Sequence, residues 1–187
     1  MIKSEARKQL LVQRKNLTTN ECLKLDDLLL IQLQKLDWSN VHCVASFYPL
    51  ENQNEPNTLL FAKYLKAVIP DLIIAYPITD IQQLTMQFYA ETESLHQNSY
   101  GIMEPLPTQL IEAEFIDAIL VPLIGVDEIG HRIGFGKGFY DKYFANFPKD
   151  RPRIGVSYFE PIPNIQDTHD FDVPLTHCIT PWNSYEF

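Results

Sequence analysis

Hydrophobic and polar positions along the chain follow two spacings, and the helical spacing is clearest in residues 20–36. Leucine and isoleucine recur there on one broad apolar face, and the polar run Thr18–Glu21 precedes it as a plausible capping region. The same reasoning predicts four helices and a short fifth one, at 3–15, 20–36, about 57–68, about 137–147 and near Leu110. These segments alternate with stretches of a different pattern.

The other pattern consists of short runs of β-branched and aromatic residues, which predict strands. The predicted strands are 41–47, 72–76, 84–89, 118–123, 153–158 and 177–180. The run Ala118–Leu123 is the most continuous, as expected of a central strand buried on both faces. Strands that alternate with helices predict an α/β fold: one domain over residues 1–187, with an open, mostly parallel sheet and helices on both faces.

Composition narrows the class of protein. Of the 187 residues 45% are apolar, which is enough for a sizeable core. Fifteen basic against 24 acidic residues give a net charge of -9, which argues against a binder of nucleic acid or of anionic membranes. Three cysteines without a CxxC spacing and an N-terminus without a continuous hydrophobic region predict a soluble, cytoplasmic protein.

The basic residues are concentrated in two segments. Residues 1–66 hold nine of the 15, residues 132–153 hold the other six, and the segments 67–131 and 154–187 hold none. Two basic segments in an acidic chain are what a local pocket for a small phosphate would look like. Ordinary charge on solvated helices explains the same distribution, so charge alone leaves both interpretations open.

A glycine-rich loop lies in the second basic segment, between a predicted central strand and a predicted helix. Gly134, Gly136 and Gly138 occupy alternate positions, which allows positive φ and brings backbone N–H groups against an anion. Arg132 and Lys137 add the full charges that a polyphosphate needs. The spacing matches neither the Rossmann nor the Walker A pattern, and a tightly packed turn is the alternative.

Two further features could belong to a phosphate site. Asp141 at the end of the loop could hold Mg²⁺, or could simply be an acid in the first turn of a helix. On the first predicted helix, Lys3, Arg7 and Arg14 fall within about 40° of one another. Leu10 shares this stripe, which therefore fits a phosphate clamp and a solvated surface helix equally well.

The loop sequence closely resembles the signature of the 5-formyltetrahydrofolate cyclo-ligase family. Residues 132–141 read R-I-G-F-G-K-G-F-Y-D, where the family usually has R-L-G-x-G-x-G-Y-Y-D. Three weaker matches occur in the family's order: Lys3 with Arg7, the segment Glu55–Thr58 after Phe47-Tyr48, and His169-Asp170. The resemblance therefore spans nearly the whole chain.

This resemblance implies an ATP- and Mg²⁺-dependent enzyme that closes 5-formyltetrahydrofolate to 5,10-methenyltetrahydrofolate and releases ADP and phosphate. The formyl oxygen would attack the γ-phosphate, and N10 would then close the ring as phosphate leaves. The implied fold is an open α/β sheet related to sugar-phosphate isomerases and coenzyme A transferases. The implied partners are the two small molecules alone, without nucleic acid or membrane, and the protein would be a monomer.

The resemblance also implies roles for individual residues. ATP would be bound by Lys3, Arg7, Arg132, Ile133, Gly134, Phe135, Gly136, Lys137, Gly138, Phe139 and Tyr140. The folate would be bound by Tyr48, Glu55, Phe135, Gly136, Lys137, Gly138 and Phe139, with Glu55 accepting hydrogen bonds from the amino-pterin ring. Lys137 and Arg132 would be catalytic, Lys137 as the charge stabiliser of phosphoryl transfer. Asp141 and Asp170 would hold Mg²⁺.

Some positions depart from the family pattern, and two other functions compete. Phe139 stands where the first Tyr of the pair is usual, Phe135 where Tyr or Arg is frequent, and Pro161 where Gln is common. One competing function is a non-catalytic or isomerase-like domain that binds phosphate ligands. The other is an RNA-interaction protein that uses the basic first helix and the aromatic residues, against which the net charge weighs.

Overall fold

The computed structural model describes residues 1–169 and 171–187, and in this part of the chain helices and strands alternate from the N-terminus onward. The helices are α1 (Lys3–Lys15), α2 (Thr19–Leu33), α3 (Thr58–Val68) and α4 (Phe139–Phe144), and single 3-10 turns lie at Glu51–Gln53 and Ala113–Phe115. The strands are β1 (Cys43–Ala45), β2 (Ile73–Asp80), β3 (Thr85–Ala90), β4 (Leu95–Gln97), β5 (Met103–Pro105), β6 (Leu110–Ile111), β7 (Ala118–Pro122), β8 (Gly125–Val126), β9 (Arg132–Ile133), β10 (Arg153–Val156), β11 (His177–Ile179) and β12 (Ser184–Glu186).

Eight of these strands form the main sheet, in the order β12-β11-β10-β7-β1-β2-β3-β6. The five strands from β11 to β2 run parallel to one another, while β12 and the β3–β6 pair are antiparallel additions at the two edges. The prediction of an α/β fold with an open, mostly parallel sheet is confirmed. The implied relationship to isomerases and coenzyme A transferases stays a prediction.

The strand residues alternate between two cores on opposite faces of the sheet. Val44 and Leu120 face the core that includes Phe61 of α3 and also Leu29 and Leu33 of α2. Their neighbours Ala45 and Val121 face the other core, which includes Phe144 of α4. Successive side chains of a strand point to opposite faces, so strands buried on both sides need helices on both. The prediction of helices on both faces is confirmed.

Helix α1 lies apart from these two cores, against the β8–β9 hairpin. Ala6 and Leu10 form a small buried cluster with Ile124, Ile133 and Ile165. Leu10, which shares the stripe of basic residues on α1, is therefore the apolar contact that docks the helix. This docking places the N-terminal turn of α1 beside residues 134–138.

Several predicted boundaries need correction. The loop before Gly134 contains the β8–β9 hairpin, and α4 spans Phe139–Phe144 rather than 137–147, because Gly138 at its N-cap has a positive φ of 75°. The expected helix near Leu110 is wrong: Leu110 lies in β6, and a single 3-10 turn follows. The β4–β5 hairpin and β12 were not predicted. None of the helices in the described part of the chain is both long and apolar enough to cross a membrane.

Candidate active site

A cavity of about 590 Å³ lies at the carboxyl ends of the central parallel strands. Its lining includes Phe47 and Tyr48 just beyond β1, Pro77 in β2, and Pro122, the last residue of β7. Open α/β sheets bind their ligands at this end, and the volume suits a small molecule. A second cavity, of about 440 Å³ beside α2 and Trp182, contains none of the residues that the sequence analysis selected.

Most of the predicted site residues line the first cavity. They are Lys3, Arg7, Tyr48, Glu55, Arg132, Gly134, Phe135, Gly136, Lys137, Gly138, Phe139, Tyr140 and Asp141. Ile133 is fully buried in the cluster beneath α1 and does not line the cavity. Asp170, the second predicted Mg²⁺ ligand, lies outside the described residues.

The glycine loop has the backbone conformation that its sequence suggested at two of the three positions. Gly136 and Gly138 have φ values of 83° and 75°, in the left-handed region, whereas Gly134 does not. The Arg7 side chain donates a 2.7 Å hydrogen bond from Nε to the Gly134 carbonyl. Its guanidinium would lie only 3.5 Å from a β-carbon at position 136. Helix α1 therefore holds the loop in place through Arg7.

The cations of α1 have three different surroundings. Lys3 lines the cavity, where Nζ lies 2.5 Å from Oδ2 of Asp172, and Arg7 lines it while bound to the loop. Arg14 is 2% exposed and does not line the cavity. Of the three basic residues on the predicted stripe of α1, Lys3 and Arg7 therefore line the cavity and can contact a ligand there, and Arg14 cannot.

Arg132 and Asp141 form an ion pair at the two ends of the loop. Nη2 of Arg132 donates to Oδ1 of Asp141 at 2.5 Å, and Nη1 donates to the Val173 carbonyl. The guanidinium also lies 5.2 Å from the centre of the Phe144 ring. These contacts close the loop from residue 132 to residue 141 and tie it to the chain segment around Val173.

Lys137 is the cation of the loop that has no acidic partner within salt-bridge distance among the described residues. It is exposed at the cavity, and its ammonium lies 5.2 Å from the centre of the Tyr100 ring. An aromatic face attracts a cation without neutralising it. Lys137 is therefore available to a negatively charged ligand.

Aromatic and buried acidic side chains also line the cavity. Tyr48 stacks on Tyr76 with ring centres 4.0 Å apart, and burial raises the pKa of Tyr48 to about 12. Burial, together with the nearby Glu55 carboxylate, also raises the pKa of Tyr140, whose hydroxyl has no hydrogen-bond partner among the described side chains and backbone. Both tyrosines are therefore neutral at physiological pH. Glu55 is 8% exposed, and its Oε2 accepts a 2.9 Å hydrogen bond from the Leu50 amide.

The sequence analysis missed the β4–β5 hairpin, which brings Tyr100, Ile102 and Glu104 to the cavity. Glu104 is 2% exposed, and its Oε1 accepts hydrogen bonds from the backbone amide and hydroxyl of Thr79 and from Nδ2 of Asn98. One signal could have found this hairpin. Asn98 and Gly101, with a φ of 78°, bracket a four-residue turn between two short extended runs.

No cluster of three possible metal ligands occurs within residues 1–169 and 171–187. Whether Mg²⁺ fits this cavity therefore depends on the single predicted ligand that the structure describes, Asp141. The hydrogen bonds that Asp141 accepts from Arg132 and from the Val173 amide both end on Oδ1. Oδ2 accepts none from the described residues, and Asp141 lines the cavity. Mg²⁺ is commonly held by one or two carboxylates together with substrate phosphates, so Asp141 fits this mode of binding and not an all-protein cage.

The fold and the cavity together define an open α/β protein whose small-molecule site combines cations from a loop and a helix with buried acids and aromatic rings. The family follows from comparison with known proteins. The sequence model of the 5-formyltetrahydrofolate cyclo-ligase family matches residues 1–181, and the chain belongs to this family.

Relatives agree in sequence and in structure. The chain is 28% identical over 164 residues to the 5-formyltetrahydrofolate cyclo-ligase of Mycoplasma pneumoniae. The aligned region covers 84% of this chain and 86% of the relative. The 5,10-methenyltetrahydrofolate synthetase structure from M. pneumoniae matches with a TM-score of 0.77 and 27% identity, over 96% of this chain and 98% of that one. The corresponding Aquifex aeolicus structure gives a TM-score of 0.79 and 29% identity, over 100% and 93% of the two chains. The predicted family and the predicted enzyme class, a ligase, are therefore confirmed.

Proposed function

We propose that the chain uses ATP and Mg²⁺ to close 5-formyltetrahydrofolate to 5,10-methenyltetrahydrofolate, with release of ADP and phosphate. One observation supports this most directly. A single cavity brings Lys3, Arg7 and Lys137 together with Tyr48 and Glu55. It thus offers cations for a polyphosphate and a ring site for a pterin in the same enclosed space.

The proposed reaction has two steps. The formyl oxygen attacks the γ-phosphorus of ATP and the bond to the β-phosphate oxygen breaks, so ADP leaves. N10 then attacks the formyl carbon, loses its proton, and the carbon–oxygen bond breaks with release of phosphate. The formyl oxygen thus ends in the inorganic phosphate, and the carbon bridges N5 and N10.

The cations of the cavity serve the first step. Phosphoryl transfer depends on placing the reactants and on stabilising charge on the phosphoryl oxygens. Lys137 provides that stabilisation in this proposal, because it lines the cavity, its ammonium lies beside the Tyr100 ring, and no acidic partner lies within salt-bridge distance among the described residues. Lys3 and Arg7 bind the ATP phosphates from α1. Arg132 approaches the formyl group and, through its pair with Asp141, keeps the loop closed.

The aromatic and acidic residues serve the folate. Glu55 accepts hydrogen bonds from the amino-pterin ring, and Tyr48, stacked on Tyr76, gives one flat surface beside it. Phe139 offers an apolar ring where the family usually has Tyr, and Phe135 offers one where Tyr or Arg is frequent. Ring stacking does not need those hydroxyl groups, so we expect the activity to be retained.

Mg²⁺ would be held by Asp141 through Oδ2 together with ATP phosphate oxygens, and would supply positive charge at the transferring phosphoryl group. Asp141→Asn keeps the hydrogen-bond acceptor for Arg132 but loses the negative charge. We expect this variant to need several times more Mg²⁺ for half-maximal activity, measured by Mg²⁺ titration at saturating ATP. An unchanged titration curve would remove Asp141 from the metal site.

The deciding experiment combines the purified protein, Mg²⁺, ATP and 5-formyltetrahydrofolate, and follows the near-ultraviolet absorbance of the methenyl product. We expect an absorbance rise that requires ATP. Folded protein that binds ATP but gives no rise would contradict the proposal. The function as a non-catalytic phosphate-ligand domain would then replace it, and Phe139→Tyr would be the first variant to examine.

We further propose that residues 1–187 act as one monomeric domain in the cytoplasm. The first helix and the last strand are both integral to the fold, since α1 packs on the β8–β9 hairpin and β12 completes an edge of the sheet. Cys22, Cys43 and Cys178 are free thiols, which suits a reducing compartment.

A further inference from the structure

Arg14 is the basic residue of α1 whose surroundings the proposed reaction does not yet explain. Although it shares a stripe with Lys3 and Arg7, it is buried, and its Nη1 donates a 3.0 Å hydrogen bond to the Leu123 carbonyl. Its Nε and Nη2 donate to no other described residue. Burying a cation costs free energy of folding unless a partner compensates its charge. The groups around Arg14 should therefore include that partner.

That partner is the carboxylate of Glu55. Nη2 of Arg14 lies 3.8 Å from Oε1 of Glu55, and each of the two side chains is 3% exposed. Glu55 lines the cavity and Arg14 does not, so the cation lies behind the carboxylate as seen from a bound ligand. Oε2 is bound by the Leu50 amide, which fixes the other oxygen of the same group.

The charge of Arg14 offsets part of the effect of burial on Glu55. Burial is the largest influence and holds the pKa of Glu55 above its usual value, whereas the Leu50 amide and Arg14 lower it. The buried Tyr140 hydroxyl lies near Glu55, and Tyr158 lies near Arg14. Both phenols are neutral because burial raises the pKa of each. Without Arg14, the described surroundings of Glu55 therefore contain no cation at salt-bridge distance.

Arg14 also contacts the glycine loop. Its guanidinium carbon lies 5.7 Å from the centre of the Phe135 ring, and its own carbonyl accepts a 2.9 Å hydrogen bond from Nδ2 of Asn54, the residue before Glu55. One buried side chain thus lies next to both the Glu55 carboxylate and the glycine loop.

We propose that Arg14 is a positioning residue for the folate: it holds Glu55 in place as an ionised carboxylate that accepts hydrogen bonds from the amino-pterin ring. This inference rests on the proposed function, because it needs a folate bound at Glu55. An ionised carboxylate offers both oxygens as acceptors, whereas a protonated one presents a donor to the N–H groups of the ring.

The experiment measures the dissociation constant of 5-formyltetrahydrofolate without ATP by calorimetry, at pH 6 to 9, and the ATP affinity separately. The variants are Arg14→Met, Arg14→Lys, Glu55→Gln and the double variant Arg14→Met/Glu55→Gln. Lys15→Met is the matched control, since Lys15 is the exposed neighbour on the same helix. Thermal unfolding is recorded first, and Arg14→Lys keeps the test open if Arg14→Met does not fold.

We expect Arg14→Met to weaken folate binding at neutral pH at least about tenfold and to leave ATP affinity within about twofold. The loss should shrink as the pH rises, because removing the cation raises the pKa of Glu55 and higher pH restores the carboxylate. Arg14→Lys should stay closer to the parent, and the double variant should bind no worse than Glu55→Gln.

If the losses in folate affinity from Arg14→Met and Glu55→Gln add up in the double variant, the inference is overturned. Additive losses would show that the two residues act on folate binding independently. An equal loss of ATP affinity, or a folate loss that does not change with pH, would overturn it as well. A parent protein that does not bind 5-formyltetrahydrofolate at all would instead contradict the proposed function, and this inference with it. The two failures are therefore distinguishable.

Discussion

Two walls of the cavity are built in opposite ways. The glycine wall, residues 132–141 together with Lys3 and Arg7, has cations that line the cavity and two left-handed glycines. The hairpin wall, β4–β5 together with Thr79, has a buried acid at its centre, because Glu104 is almost fully enclosed by its hydrogen-bond donors. The first wall supplies charge to a ligand, and the second supplies a fixed shape. We therefore expect variants of the cations in the glycine wall to change the rate of chemistry, and variants of the buried acid in the hairpin wall to change stability and folate binding.

The largest effect should come from Lys137 in the glycine wall. Lys137→Ala should lower kcat at least about 100-fold without a change in thermal stability, because one charged group at a developing negative charge has effects of this size. Steady-state assays of methenyl formation check this. Lys142→Ala is the control, since Lys142 is exposed and does not line the cavity. A Lys137→Ala enzyme within threefold of the parent would remove Lys137 from the mechanism.

The next effect should come from Glu104 in the hairpin wall. Glu104→Ala leaves the Thr79 amide, the Thr79 hydroxyl and the Asn98 amide group without their acceptor, so we expect a loss of about 1–3 kcal/mol in the free energy of unfolding. The KM for folate should rise while the KM for ATP stays nearly constant. Urea unfolding and steady-state kinetics measure these quantities.

Glu104→Gln is the matched variant for this position. Its amide oxygen can accept the same three hydrogen bonds, so its free energy of unfolding should lie closer to that of the parent. Equal destabilisation by Ala and Gln would show that the negative charge of Glu104, and not its role as an acceptor, stabilises the hairpin wall.

The two walls also differ in what the sequence reveals about them. Most of the glycine wall is one contiguous segment, residues 132–141, so its spacing and charges indicated a phosphate site, and the signature in that segment identified the family. The hairpin wall depends on pairing between short strands and on a buried carboxylate 25 residues away from Thr79. Short β4 and β5 have little hydrophobic pattern, since β4 is exposed throughout. Only the Asn98–Gly101 turn was visible locally.

The main sheet was predictable for a similar reason. Its central strands are buried on both faces and therefore have continuous apolar runs, of which Ala118–Leu123 is the clearest. The edge strand β12 and the β8–β9 hairpin are too short for such a run. The different surroundings of Arg14, Lys3 and Arg7 could not be predicted either, because helical spacing gives a direction around the axis and not what packs there.

A smaller effect should come from Gly136 in the glycine wall. Gly136→Ala forces a β-carbon into the left-handed region next to the Arg7 guanidinium, so we expect destabilisation of about 1–2 kcal/mol and a higher KM for ATP. Gly134→Ala is the comparison, since Gly134 has no atom within 4 Å of the added carbon and no positive φ. Gly136→Ala should therefore unfold at a lower temperature than Gly134→Ala. Equal unfolding temperatures would mean that the loop backbone adjusts to the added β-carbon at position 136.

The smallest effect should come from Tyr100, where the two walls meet. Its ring faces the Lys137 ammonium at 5.2 Å, and an exposed cation–π contact contributes about 0.5–1 kcal/mol. Tyr100→Leu should therefore lower kcat/KM about two- to fivefold, whereas Tyr100→Phe keeps the ring and should stay within about twofold. The decisive measurement is a double-mutant cycle with Lys137→Ala. If the ring acts by placing the ammonium, Tyr100→Leu has no further effect once Lys137 is gone. An undiminished effect in that background would mean that Tyr100 contacts the substrate directly and that the two walls act independently.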